Sequence, residues 1–314
     1  MSSDAGLHIL AFDHRTSFVR AFLGVEGKPR PADVERAGLA KTVIAEGLLR
    51  AVADGGVDRA AVAALVDATY GADAIGQLRD GGIPIAVPVE ESGRRELAFE
   101  DGWRERLETL EPAWVKVLVR FNPQGDPAIN SRQIASLREL MEACASADRS
   151  VMLELLVPPE PGQGGPRYDV DVRPALVVNA IEQIRGADVT PGLWKIEGFE
   201  RRADCEAVAA VAGARCVVLG RGQDDAAVDR WLRAGAGVPG FVGFAIGRSI
   251  WWDALRAFFT AGQGSEAREG AATAIARAYA RFARVFADGL ATGAEGDGSD
   301  RGVRRDDPNV SPTT

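Results

Sequence analysis

Eight short apolar runs rich in valine, isoleucine and leucine recur along the chain. They are LHILAFD (7–13), AVAALVD (61–67), PIAVPVE (84–90), AWVKVLVRF (113–121), VMLELLV (151–157), GLWKIEG (192–198), RCVVLG (215–220) and GFVGFAIG (240–247). None alternates strictly between apolar and polar positions, which suits strands buried on both faces, as in a parallel sheet. Amphipathic helical patterns separate most of them, among them 33–54, 130–147, 173–187 and 225–236. Strand and helix alternate eight times, and that count favours a closed (β/α)8 barrel over a six-stranded doubly wound sheet. The third unit is the weakest, because its helix, somewhere in 100–110, has a poor pattern.

After an eighth helix (249–260), the segment AGQGSE breaks the pattern. AREGAATAIARAYARFARVFADGL then repeats apolar positions at helical spacing. This extra helix is expected to pack on the outside of the barrel or in an interface between copies of the chain. Trp251 and Trp252 read as helix-packing residues. From 291 the composition turns polar and aperiodic, as in a disordered tail. The expected organisation is a barrel with its extra helix over 1–290 and a tail over 291–314.

Composition removes several classes of function. The formal charge is −8 over 314 residues, a field that repels nucleic acid and anionic membranes. No apolar run approaches the roughly 20 residues of a membrane span, and the N-terminus lacks the pattern of a signal peptide, so a cytoplasmic protein is expected. Cys144, Cys205 and Cys216 show no paired spacing and read as buried thiols. The two histidines, His8 and His14, sit together near the N-terminus and cannot build a three-histidine metal centre. No metal or cofactor is expected.

In such a barrel the active site gathers at the C-terminal ends of the strands. Asp13, Asp67, Glu90 and Glu91 lie at strand ends, while Lys116, Glu154, Lys195 and Glu197 lie within strands. Only four of the 37 basic residues are lysine, namely Lys28, Lys41, Lys116 and Lys195, and two of them interrupt apolar strands. A buried lysine can lose its proton where arginine cannot. Beside a second cation its pKa falls and the neutral amine attacks carbonyls. Lys116 and Lys195, two strands apart, could supply that mutual influence; the alternative is that both are ion-paired barrel lysines, with Glu154 and Glu197 as partners. Glu154, on the strand next to Lys195, is the natural proton donor and acceptor for an imine-forming amine.

Gly247 and Arg248 fall between the last strand and a helix, and Gly220-Arg221-Gly222 follows the seventh strand. Loops after these two strands commonly bind phosphate in this fold, and helix N-termini favour anions. Asp67 reads equally as a helix cap. The loop 158–169 reads as a lid or as a plain connection.

These strand ends resemble class I tagatose-bisphosphate aldolases. FDHRTS (12–17) is similar to their A-D-Q-R-G-S, VDATYG (66–71) to L-D-P-E-Y-G, VEESG (89–93) to E-K-[ST]-G, and VKVLVRFNP (115–123) to V-K-[FL]-L-x-Y-D-P. LEL (153–155), WKIEG (194–198) and GFAIGR (243–248) follow in order. The chain resembles more closely the domain fused behind 5-dehydro-2-deoxygluconokinase in bacterial inositol catabolism. There the segments around VPPE, LWKIEGFE, VVLGRGQDD and GFAIGRSIWWD have counterparts. The first resemblance implies Lys195 as the Schiff-base lysine, Glu154 as general acid/base, Asp13 and Lys116 as groups that orient hydroxyls, and Gly247 and Arg248 as the phosphate site. Arg15, Asp67, Gly220 and Arg221 complete the expected substrate contacts. The second implies an aldolase for 2-deoxy-5-keto-gluconate 6-phosphate.

The sequence departs from the bisphosphate aldolases in having His14 for Gln, Arg120 for an aromatic and Arg221 after the seventh strand. An extra arginine suits a carboxylate in place of a second phosphate. Two other readings compete with this aldolase. One is a lyase for another sugar phosphate, and the other is an idle barrel that only binds one.

Overall fold

The structure is a computed structural model that describes residues 6–296, and side chains as far as 291. Eight parallel strands close into a barrel in chain order. They are β1 (Leu7–Phe12), β2 (Val62–Val66), β3 (Ile85–Pro88), β4 (Trp114–Arg120), β5 (Ser150–Leu156), β6 (Leu193–Glu197), β7 (Arg215–Leu219) and β8 (Phe241–Ile246). Seven fall inside one of the eight apolar runs, and β5 starts one residue before its run, at Ser150. The third unit, with the poorest pattern, also has the shortest strand, and its helix is α4 (Trp103–Leu110).

The remaining helices are α1 (Thr16–Ala21), α2 (Pro31–Ala53), α3 (Ala72–Asp80), α5 (Pro127–Ser146), α6 (Arg173–Gly186), α7 (Arg202–Ala212), α8 (Asp225–Gly235), α9 (Arg248–Thr260) and α10 (Ser265–Gly296). The short α1 is an element the apolar pattern does not announce. Helix starts are set locally. Asp126 and Asp224 accept hydrogen bonds from the N–H groups of Ala128 and Ala227 and so cap α5 and α8.

Alternate residues of each strand face inward. Leu7, Ile9, Ala63, Leu65, Ala86, Trp114, Met152, Leu193, Val217 and Ala245 fill the barrel as one apolar plug. The opposite strand faces pack on the helices. The plug is a dry floor, and charged side chains one inward step further along the strands stand on it.

The extra helix α10 lies on the outside of the barrel against α2, α9 and α8. Ile275, Tyr279 and Phe282 are fully buried there, and the Tyr279 hydroxyl donates to the His8 carbonyl at 2.7 Å. The helix runs six residues past the expected boundary at 290, as far as Gly296. The rest of the expected tail lies outside the described residues. No described helix is long and apolar enough to cross a membrane, and the three cysteines are buried and free.

The α10 packing carries a pH-dependent contribution to stability. The His8 ring stacks on Phe244 at 4.7 Å and meets Phe286 edge-on, and its buried Nδ1 has no partner. Burial pushes its pKa down to about 4, against the pull of Asp58. In the unfolded chain it returns to about 6.5, so between those values the unfolded state binds the extra proton and stability falls as pH drops. From pH 7 to pH 5 this group is expected to withdraw about 2 kcal/mol. Urea unfolding of His8→Phe should show a correspondingly flatter pH dependence than the wild type.

Candidate active site

Strand register brings the charged residues together. Glu154 on β5 is directly opposite Lys195 on β6, so both point to the same face of the sheet. Lys116 is one inward step further down, opposite Met152. Its long side chain rises to the level of Glu154. The Oε2 atom of Glu154 accepts from Lys195 Nζ at 3.0 Å and lies 2.9 Å from Lys116 Nζ. Lys116 is also 3.0 Å from Asp13 and 2.8 Å from Glu90. All five side chains are nearly withdrawn from solvent. The structure thus brings Asp13, Lys116, Glu154 and Lys195 to the C-terminal end of the barrel around one shared carboxylate oxygen, and adds Glu90.

Burial alone would favour the neutral form of each group. It raises Glu90 above the ordinary carboxylate range, because Lys116 and Arg15 only partly offset it. For Asp13 and Glu154 burial is outweighed by Lys116 and Lys195, which hold both carboxyls below that range. For Lys116 burial is outweighed by Asp13, Glu154 and Glu90, which keep its ammonium charged to high pH. Lys116 is therefore a fixed cation. Three carboxylates surround it, whereas among the described residues Lys195 pairs with Glu154 alone. Of the two lysines, Lys195 has the fewer acidic contacts.

A cavity of about 860 Å³ opens above this cluster, and Lys195, Lys116, Glu154 and Asp13 form its floor. His14 also lines it. Burial pushes this imidazole down to about 4 despite Asp13, and its Nδ1 is buried without a partner. A neutral histidine whose ring faces Trp251 edge-on at 5.6 Å completes the wall toward α9.

Gly247 precedes α9, whose first N–H groups have no acceptor within the helix. No side chain fits at Gly247, because a Cβ would strike the Ala11 carbonyl. Arg248 reaches back over the turn after β7 and donates to the Arg221 carbonyl at 2.8 Å. Gly222 has φ +69°, and its missing side chain makes room for that guanidinium. Gly220, Gly222, Gly247 and Arg248 therefore form one wall of the cavity.

Three expected contacts stand differently. Asp67 does not reach the cavity. It is wholly buried against Lys41 Nζ at 2.7 Å and accepts from the Tyr70 N–H, because α2 presents Lys41 to that strand end. Arg221 lines the cavity, but Glu197 at 2.9 Å and Asp169 at 2.8 Å hold its guanidinium. Arg15 also lines it, with one guanidinium nitrogen on Glu90 at 3.2 Å and the other on Glu100. Glu197 pairs with Arg221, so it is no partner of the lysines.

The loop 158–169 flanks the opening and is tied down at both ends. The Tyr168 hydroxyl donates to the Val157 carbonyl at 2.8 Å, and Asn122 donates to the Pro158 carbonyl at 2.8 Å and to Gln163 at 2.6 Å.

A family model described as "Uncharacterized protein conserved in bacteria (DUF2090)" matches residues 2–288. No curated protein matches the sequence. Among solved structures, the chain is similar to the fructose-bisphosphate aldolase of Plasmodium falciparum, solved with TRAP and a small-molecule inhibitor. The identity is 14% and the TM-score 0.62, over 90% of this chain and 91% of that one. It is also similar to Cgl0159 of Corynebacterium glutamicum, at 20% identity and a TM-score of 0.53, over 88% of this chain and 87% of that one. At these identities the likeness is one of fold.

Proposed function

From the premise that this chain belongs to the DUF2090 family, we propose that it is a class I aldolase that cleaves a phosphorylated ketose or keto-acid through an imine on Lys195. One observation carries the reading. A buried lysine at the floor of an open cavity touches a carboxylate oxygen that also holds a second lysine, whose charged form three carboxylates favour. The fold shared with a fructose-bisphosphate aldolase and the ordered sequence motifs support it.

The neutral Lys195 amine attacks the substrate carbonyl carbon, and Glu154 passes protons so that the carbinolamine loses water. The resulting iminium draws in the electron pair of the carbon–carbon bond two atoms away. That bond breaks as Glu154 takes the proton of the neighbouring hydroxyl. An aldehyde leaves and an enamine remains on Lys195. Protonation of the enamine carbon and addition of water release the second product, a ketone, and restore the amine. Asp13 and Lys116 orient the hydroxyls and stabilise their developing charge. Among candidate substrates, the closer sequence resemblance favours 2-deoxy-5-keto-gluconate 6-phosphate, which would give dihydroxyacetone phosphate and malonate semialdehyde. The test is reduction with borohydride in the presence of candidate sugar phosphates, followed by mass spectrometry of the peptides.

The α9 wall is the phosphate site in this reading. Arg248 has no acidic partner among the described residues, and the helix N-terminus adds its dipole. Arg248→Ala is expected to raise KM for a phosphorylated substrate by roughly tenfold or more, the size of one lost charge-assisted contact. It should lower kcat as well if the phosphate positions the carbonyl over Lys195. Unchanged steady-state kinetics would move the phosphate elsewhere.

A further inference from the structure

The wall of the cavity opposite α9 is also basic. Residues 91–98 form a hairpin above β3, closed by a bridge between Glu90 and Phe99 and by the Glu91 N–H bonded to the Ala98 carbonyl at 2.8 Å. Its tip carries Arg94 and Arg95. Arg120, the last residue of β4, faces inward in step with Lys116 and Leu118 and donates to the Arg94 carbonyl at 2.7 Å. All three arginines line the cavity.

Their partners differ. Arg94 pairs with Glu91. Arg120 touches the hairpin backbone and no acid among the described residues. Arg95 has no ion pair and no hydrogen bond there, and the nearby Glu96 is taken by Arg132 at 2.7 Å. The other arginine that departs from the family pattern, Arg221, is neutralised by Glu197 and Asp169. Two uncompensated guanidinium groups thus face a cavity in a protein of net charge −8, and one of them is anchored to the loop that bears the other.

Their position in the ring decides what they could hold. In a barrel closed in chain order, β4 lies diametrically across from β8, and β6 is midway between them. Strand spacing of about 4.8 Å and a tilt of about 36° make an eight-stranded barrel roughly 15 Å across. An extended six-carbon acid phosphate, roughly 9 Å from phosphorus to carboxyl carbon, lies within that width. The Lys195 amine on β6 meets the middle of such a chain.

We propose that Arg95 and Arg120 form a second anion subsite, which takes the carboxylate at the far end of an open-chain acid whose phosphate lies at α9. This rests on the phosphate reading of the α9 wall and narrows the substrate class to a keto-acid phosphate of about six carbons. Arginine suits the role because its planar fork matches the two oxygens of a carboxylate.

The test uses two ligands that cannot form an imine. 6-Phosphogluconate has a carboxylate at one end and a phosphate at the other; glucitol 6-phosphate has the same chain and phosphate without the carboxylate. By titration calorimetry, the wild type is expected to bind 6-phosphogluconate at least tenfold more tightly. Arg95→Ala and Arg120→Ala should each cut that preference several-fold, and the double variant should abolish it. Glucitol 6-phosphate should bind all four proteins alike. Arg95 is exposed at a hairpin tip, so its variant tests the subsite without threatening the fold. Equal affinity of the two ligands for the wild type, or a preference that survives the double variant, would overturn the subsite. Neither ligand carries a ketone or aldehyde, so failure of borohydride trapping at Lys195 would leave this result standing. Failure of the subsite would likewise leave the imine intact.

Discussion

Lys195→Arg is expected to abolish carbon–carbon cleavage, by on the order of 10⁴-fold or more, in a protein that stays folded and still binds phosphate. The argument rests on the state of the nitrogen. Imine formation needs a lone pair, and a guanidinium keeps its proton under all working conditions. The replacement preserves a positive charge beside Glu154, so the ion pair that organises the floor survives and the fold has no reason to yield. Borohydride and substrate together should inactivate the wild type and add the mass of the reduced ligand to the peptide containing Lys195. Either reagent alone should do nothing. EDTA should leave turnover unchanged, because the iminium serves as the electron sink. A label on Lys116 would move the nucleophile one residue cluster away while keeping the reaction class. That outcome would require Lys116 to shed its proton among Asp13, Glu90 and Glu154, all of which favour its charged form. Activity lost to chelation, with no label anywhere, would end the imine mechanism.

The barrel was legible because each strand is buried on both faces and so announces itself as a mostly apolar run. Those runs match all eight strands, with β5 starting one residue earlier, at Ser150. The lysine cluster was legible for a related reason. A lysine within a run such as VKVLV or LWKIE has to point inward or outward, and only an inward position above the plug gives it carboxylates to meet. Ion-pair partners were less legible. They depend on how far a side chain bends from its own strand position, and spacing does not record that. Glu197 sits two residues from Lys195 on the same strand face, yet Arg221 reaches it first, from a turn held at φ +52°. Glu90 read as one acid of several at a strand end, and the fold makes it the third carboxylate around Lys116. His14 was visible as a departure from the bisphosphate aldolases, but nothing in the sequence marked it as buried and neutral.

Asp67 is the instructive case, because a polar residue at the end of a barrel strand reads as a site residue whether it turns inward or outward. The signal that could have placed it is Lys41. This lysine interrupts the apolar face of α2, where Ala37, Ala40, Ile44 and Leu48 are fully buried. A helix facing a barrel tolerates a lysine there only if an acid awaits it. Lys41 meets Asp67, and it also donates to the carbonyls of Phe12 and of His14, the latter at 2.9 Å. Those carbonyls flank Asp13, so a pair outside the cavity steadies the chain on which a floor carboxylate stands.

Lys41→Met is therefore expected to cost about 3–5 kcal/mol of unfolding free energy, because it leaves the Asp67 carboxylate buried without a counter-charge. Both side chains are inaccessible to solvent, so no rearrangement at the surface can rescue the charge. Asp67→Asn should be destabilising in the same way, since it strands the ammonium. The amide still accepts the Tyr70 N–H, and Lys41 still reaches its two carbonyls, which should keep the loss smaller. The double variant Lys41→Met/Asp67→Asn removes both charges and should be more stable than Lys41→Met alone. A double-mutant cycle from urea unfolding would then give a coupling energy of several kcal/mol in favour of the native pair. Additive losses would mean that the two charges do not depend on each other. The same proteins separate support from binding. If Asp67 touches no substrate, Asp67→Asn assayed well below its unfolding transition keeps the wild-type KM, while Arg248→Ala does not. A raised KM in folded Asp67→Asn would return this residue to the substrate site.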